Sequence, residues 1–486
     1  MAVIISIITL ICIYISRKEK FIEESPITST INQTGKGYCD TVPEFPITIQ
    51  KILAHPKGDT PRTIVIQNKS KNDLYISFDG AHFDGTAKGL LINPEVYSGF
   101  KVASNDFYAL ELPYHVDSGR IWVRTNCEMS FGYIGGHPKA SSLWCDTGNC
   151  PIPDAGFVSS DSGKLCYTAS PAPGSILGGI GPTTPVEFTF NPEGIDFYDI
   201  SQVDGNNISV SIIPISNNYA PKPHNTSDEF WCKNSSCYPT ESKNSCPPEL
   251  RVYTQGKNGQ DGEYVTCQSI CQAISSIPDN YVENSPGGLW PNGKLSNGID
   301  ILKLNDIEGY NTLMKLYNSG YIWDDTYTDP NMTKDPSGIN PNRPWFNKGR
   351  WVLKPDNRCT IDDENSGKCL RVKTVTCCEG MCDVSDTAEN GGTNNSVKQG
   401  CSPYDSHFQN EDYKKHLCWS EMWPKPSSQF CSTNGLVEQD CNYHTLYKKQ
   451  CPKAYSWQFD DFNSTYTCKS SNDKPINYYI GFCDKI

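Results

Sequence analysis

Gly119-Arg-Ile-Trp-Val-Arg-Thr-Asn-Cys127 is the stretch from which the fold can be read. Side chains alternate across a strand, so Arg120, Trp122 and Arg124 share one face while Ile121 and Val123 share the other. A short run of this kind reads as a strand. Similar short runs occur at Arg62–Gln67, Asp106–Leu112, Val186–Phe190 and Ile208–Ile213, separated by Gly, Asn, Asp and Pro. Many such strands with turn signals between them predict a mainly β chain, a sandwich or a barrel. Strand-like sequence returns at Tyr455–Phe459, Ser464–Cys468 and Tyr478–Phe482. From about Cys232 to Cys451 cysteine-dense loops take over. One helix is expected there over Asp306–Tyr317, capped by Asn305, with Ile307, Tyr310, Leu313, Met314 and Tyr317 on one face.

The 486 residues leave room for two or three domains, or for one large β domain with insertions. A formal net charge of −13 argues against a nucleic-acid partner. The 23 cysteines argue for disulfides and an oxidising compartment. No histidine falls in an HExxH or CxxC…HxxxH spacing, so no metal or other cofactor is expected. Gly178-Gly-Ile-Gly181 is followed by no helical pattern and reads as a loop, not a phosphate cradle.

Residues Ala2 to Ser16 form an apolar run closed by Arg17, Lys18 and Lys20. The run is shorter than the ~20 residues that span a bilayer comfortably. It also lacks the basic lead and the clean cleavage site of a signal peptide. Residues 1–20 are therefore read as an uncleaved membrane anchor and 21–46 as a stalk, with secretion as the alternative. The basic cluster would leave the bulk of the chain in the cytosol. The disulfides instead ask for an extracellular or lumenal ectodomain. Display on a virion, by a virus that oxidises its own membrane proteins in the cytoplasm, would remove that conflict. Eight Asn-x-Ser/Thr sequons, at Asn32, Asn68, Asn207, Asn225, Asn234, Asn331, Asn394 and Asn463, agree with a glycoprotein.

Gly119–Cys127, Trp144-Cys-Asp-Thr-Gly-Asn-Cys150 and Val186-Glu-Phe-Thr-Phe190 together resemble the thaumatin-like (pathogenesis-related group 5) family. Ile195-Asp-Phe-Tyr-Asp-Ile-Ser-Gln-Val-Asp-Gly205, Cys451-Pro-Lys-Ala-Tyr-Ser-Trp457 and Tyr478-Tyr-Ile-Gly-Phe-Cys483 follow in the family's order. The resemblance implies an antiparallel β-sandwich or flattened barrel with a disulfide-rich loop and helix domain inserted. The first part of the β core would be 47–231 and the loop domain 232–451, with 452–486 supplying the closing strands. The loop domain is enlarged relative to the family by insertions at 272–374 and 383–440. Asn149 stands where the family usually carries an aspartate.

The resemblance also implies the disulfides Cys127–Cys145, Cys150–Cys166, Cys232–Cys468, Cys237–Cys451, Cys246–Cys267, Cys271–Cys377 and Cys378–Cys382. Ser70 occupies the place of the family's first cysteine, which leaves Cys483 needing a partner, and Cys39 is the natural substitute. Cys359, Cys369, Cys401, Cys418, Cys431 and Cys441 lie in the insertions, and spacing does not fix their pairing.

Family members surround a cleft with an arginine and four carboxylates, and the matching positions are Arg120, Glu187, Asp199, Asp204 and Asp460. Crowded acids raise one another's pKa values, and glycoside hydrolysis needs one protonated and one ionised carboxyl group. Glu187 is the candidate acid and Asp199 the candidate base or nucleophile, with Arg120, Asp204 and Asp460 as ligand-binding groups. The cleft of a family member hydrolyses β-1,3-glucan weakly, binds a glycan, or does neither, and all three readings stay open. Trp290, Trp323, Trp345 and Trp351, with Asp324 and Asp325, are further candidates for sugar stacking, although tryptophan more often fills a core.

Overall fold

Apolar residues at every second position stack two β-sheets face to face in this chain. The computed structural model describes residues 39, 62–82, 99–112, 115–134, 137–148, 182–191, 194–216, 219–223, 229–240, 242–254, 262–277, 298–328, 348–378, 420–437, 441–460, 463–471 and 475–484. All of them belong to the unit Gly37–Ile486. The expected anchor lies outside the described residues, among which no helix is long and apolar enough to cross a membrane.

The two large sheets use β1 (Arg62–Asn68), β2 (Leu74–His82), β3 (Gly99–Val102), β4 (Phe107–Leu112), β5 (Val116–Ile134) and β6 (His137–Thr147). They continue with β7 (Val186–Phe190), β8 (Asp196–Ile200), β9 (Val210–Ile215), β10 (Ser235–Cys237), β11 (Tyr466–Cys468) and β12 (Asn477–Phe482). One sheet runs β10-β9-β12-β1-β4; the other runs β11-β8-β7-β5-β2-β3, with β6 paired to β5. The ladders are antiparallel apart from β1 with β12, where Ile64 opposes Tyr478. Ile64, Ile66 and Ile212 from one sheet and Ile76, Ile121 and Val186 from the other are fully buried in a shared core.

Two features close that core. A Cβ on Gly119 would lie 2.2 Å from the Phe188 ring, so glycine is what lets the ring fill the space beside β5. Phe188 stacks on Phe190 and Phe190 on Tyr478, with centroids 4.4 and 4.8 Å apart. At the sheet's end Arg62 grips Asp196 through two hydrogen bonds of 2.5 and 2.8 Å. Tyr478 and the backbone N–H of Asn191 donate to the same carboxylate.

A second core gathers Leu250, Ile270, Leu313, Tyr321, Val375 and Tyr443 from the cysteine-rich region. Helices Gly298–Asn305 and Ile307–Tyr317 pack into it. The expected helix forms, but Asp306 caps it, accepting from the Gly309 N–H at 3.1 Å. Asp306 wins because Arg251 and Tyr253 hold its other oxygen, while Asn305 instead ends the preceding helix and accepts from the Gly262 N–H. Tyr310 and Leu313 are buried, whereas Ile307 is exposed and lies off the packed face.

Tyr455–Phe459 is not a strand. Tyr455 makes a lone bridge to Ser201. The chain then turns because the Asp460 carboxylate reaches back to accept from the N–H and hydroxyl of Ser456.

The chain carries the disulfides Cys39–Cys483, Cys127–Cys145, Cys232–Cys468, Cys237–Cys451, Cys246–Cys267 and Cys271–Cys377. Cys359–Cys369 and Cys431–Cys441 staple the insertions locally. Cys150, Cys166, Cys382, Cys401 and Cys418 lie outside the described residues. Ser70 is buried, its hydroxyl 2.7 Å from both Asn68 Oδ1 and the Asn72 carbonyl, which share its one proton.

Candidate functional site

Strand register builds the site. Arg120 in β5 lies opposite Glu187 in β7, and Glu187 lies opposite Asp199 in β8. Directly opposed residues have Cβ atoms roughly 5 Å apart, so one rung across three strands holds a cation and two carboxylates. Val186, Phe188 and Phe190 point into the core and thereby turn Glu187 and Thr189 outward. Arg120 Nη2 and Glu187 Oε1 are 2.5 Å apart, with side chains 34% and 26% exposed.

The next rung is less polar. The Ser118 N–H donates to the Thr189 hydroxyl at 3.2 Å, and Thr189 opposes Phe197, which opposes Thr467. Phe197 is 45% exposed and turns its ring to the outer face of β8. The two rungs line a cleft of about 280 Å³ formed by Ser118, Gly119, Arg120, Glu187, Phe188, Thr189, Phe197 and Asp199.

Charge couples the rung to Asp204, which follows β8. Burial disfavours the Arg120 guanidinium, but Glu187, Asp204 and Asp199 outweigh that cost and raise its pKa. Burial raises the pKa of Asp204; Arg120 opposes the rise and Glu187 adds to it.

Asp460 is placed differently. Its carboxylate binds Lys448 at 2.6 Å and the Ser456 N–H and hydroxyl, and it is absent from the cleft lining. The structure thus brings Arg120, Glu187 and Asp199 together, couples Asp204 to them, and sets Asp460 in a buried network of its own. Trp323 and Trp351 meet edge to face within a three-stranded sheet of the insertion, and Asp324 and Asp325 follow in the same strand. None of these four lines the cleft. Trp290 and Trp345 lie outside the described residues.

Phe197 and Thr189 were not singled out from sequence. The parity of Asp196–Ile200 carries the signal: positions 196, 198 and 200 turn inward, so Phe197 shares the outer face with Asp199. Among the described residues no cluster of three His, Cys, Asp or Glu side chains is placed to hold a metal ion.

The fold and site define a disulfide-stapled β-sandwich with a charged cleft on one sheet. Residues 85–281 match the thaumatin family, and the chain carries a thaumatin-like domain of that family. It is 28% identical to a thaumatin-like protein of Arabidopsis thaliana over 46% of this chain and 70% of that one. It is 32% identical to a glucan endo-1,3-beta-glucosidase of Prunus avium over 39% of this chain and 62% of that one. A β-1,3-glucanase domain from Clostridium beijerinckii aligns at 12% identity over 86% of this chain and 98% of its own, with a TM-score of 0.26, too low to bear on the fold.

Proposed function

We propose that the chain binds a neutral polysaccharide along β5, β7 and β8, with β-1,3-glucan as the first candidate. The observation that carries this reading is the exposed Phe197 one rung from Arg120, Glu187 and Asp199. An aromatic face packs against the apolar face of a sugar, while carboxylates and a guanidinium satisfy its hydroxyls. The name of the Prunus avium relative supports β-1,3-glucan as the class to test.

Hydrolysis is the less favoured reading, because Arg120 already engages Glu187 and a general acid would have to give up that partner. Display from a membrane through Ala2–Ser16 belongs to the same proposal and rests on the sequence.

The test is cosedimentation of the full chain with insoluble β-1,3-glucan, with new reducing ends followed in parallel. Binding that falls about tenfold in Phe197→Ala and Asp199→Asn, a change of ~1.4 kcal/mol, is the expected result. No binding, or equal binding by all three folded proteins, would leave the cleft idle and the chain a structural or attachment protein. Reducing ends released by the native chain and lost in Glu187→Gln would make it a hydrolase.

A further inference from the structure

Four of the eight sequons fall on described residues, and the fold separates them into two pairs. Asn68, at the end of β1, is fully buried. The two hydrogens of its Nδ2 are shared among the carbonyls of Asn72, Val102 and Ala103 at 2.8 to 3.0 Å, and its Oδ1 lies within hydrogen-bond reach of the N–H and hydroxyl of Ser70. Asn207 is 8% exposed. Both hydrogens of its Nδ2 are committed, to the Val123 carbonyl at 2.8 Å and the Thr147 hydroxyl at 2.9 Å. Its Oδ1 accepts from the Thr184 N–H. These two side chains tie neighbouring backbone segments together inside the protein.

Asn234 and Asn463 are exposed. Asn234 stands just before β10, and Ser236 of that strand is its sequon hydroxyl. Asn463 stands three residues before β11, and Thr465 supplies the hydroxyl. Cys232 is bonded to Cys468, so both asparagines flank the segment around one disulfide at the β11 edge of the sheet.

We propose that Asn234 and Asn463 are N-glycosylation sites of this protein and that the sequons at Asn68 and Asn207 are closed by the fold. The donor is a lipid-linked oligosaccharide diphosphate. The Asn Nδ2 forms a bond to the anomeric carbon and loses one proton, the anomeric C–O bond breaks, and the lipid diphosphate leaves. After transfer the nitrogen keeps a single hydrogen. At Asn207 that removes one of two buried hydrogen bonds and forces a sugar into a closed interior. At Asn68 there is no exposed surface from which a sugar could project. At Asn234 and Asn463 the sugar enters solvent.

Transfer also acts on chains still being folded. A chain modified at Asn68 or Asn207 cannot then close β1 against the β2 and β3 region, or lay Asn207 across β5 and β6. Those molecules belong in the aggregated fraction.

The full chain, produced in a glycosylating secretory host, tests this by glycopeptide mapping of its soluble, disulfide-bonded fraction. Glycans at Asn234 and Asn463, with Asn68 and Asn207 bare, are expected. Asn234→Gln and Asn463→Gln should each remove one glycan's mass step on a gel and leave the soluble yield unchanged. A glycan on Asn68 or Asn207 in the soluble fraction overturns the proposal. So does a bare Asn234 or Asn463.

Discussion

Arg120 and Glu187 meet across β5 and β7 with Nη2 and Oε1 2.5 Å apart, and this pair is the hub of the cleft's charge. Asp199 and Asp204 also act on the guanidinium, so one cation serves three carboxylates. Replacing Arg120 with methionine leaves three acids without their counter-charge. The loss is modest because the pair is partly exposed, about 1 kcal/mol at pH 7. It should shrink in acid, where Asp204, its pKa raised by burial, takes up its proton. Urea denaturation of the native chain and Arg120→Met at pH 7 and pH 4 checks this. A loss that stays the same at pH 4 would mean that packing of the arginine stem, not its charge, sets the cost.

Asp204 follows from the same electrostatics with the opposite sign. Its pKa is raised by burial, which Arg120 offsets in part. A carboxyl group whose folded pKa is raised holds its proton more tightly when folded, so its ionised form costs stability above that pKa. Asp204→Asn should therefore raise the unfolding midpoint at pH 7, and the gain should fade as the pH falls through the acid range. Thermal unfolding of the two proteins from pH 7 to pH 3 measures it. A lower midpoint for the variant at pH 7 would show that Asp204 is stabilised by partners that outweigh its burial.

Among the described residues Asp196 and Arg62 form the ion pair least open to water, with side chains 4% and 2% exposed. Burial raises the Asp196 pKa, and Arg62, Tyr478 and Asn191 counter it. Removing one member strands the other, at a cost of roughly 3–5 kcal/mol. Asp196→Ala should show that loss in chemical denaturation. Arg62→Met combined with Asp196→Leu should cost less than Asp196→Ala alone, because no buried charge is left behind. A double variant as unstable as the single one would place the cost in packing instead.

Part of this geometry is legible in the sequence. Alternation in Val186–Phe190 sets Glu187 outside, whereas Arg120 shares its face with Trp122 and Arg124, both of which are buried. Registry did the rest: no sequence rule says that Arg120, Glu187 and Asp199 fall on the same rung, since a slip of one residue would send them to opposite faces. The partners of Asp460 escape a reading of strand alternation for a related reason. Lys448 lies on the helix Tyr443–Gln450, and whether that ammonium points at Asp460 depends on how the helix docks. A different contact of Asp460, with Ser456, keeps Tyr455–Phe459 from forming a strand. The alternation of that run is real, but Asp460 draws the backbone of Ser456 into a turn.

The last expectation concerns His444 in the helix above Asp460. Its Nδ1 lies 2.7 Å from the Ser456 hydroxyl, which donates to Asp460, and its ring meets Trp457 edge to face. Burial lowers the His444 pKa to about 4; Asp460 favours the charged ring and Lys448 opposes it. The unfolded chain takes up this proton near pH 6.5 whereas the folded protein does so only near 4, so the unfolded state binds more protons in between. Stability should therefore fall as the pH drops through that window, by up to about 3 kcal/mol. Other carboxylates titrate at the lower end, so the measurement is a difference: urea denaturation of the native chain and His444→Gln from pH 7.5 to pH 4. The variant should lose less stability between pH 6.5 and pH 5 than the native chain. Parallel curves across that interval would show that His444 takes its proton as readily folded as unfolded, and that the ring is not sealed by Trp457.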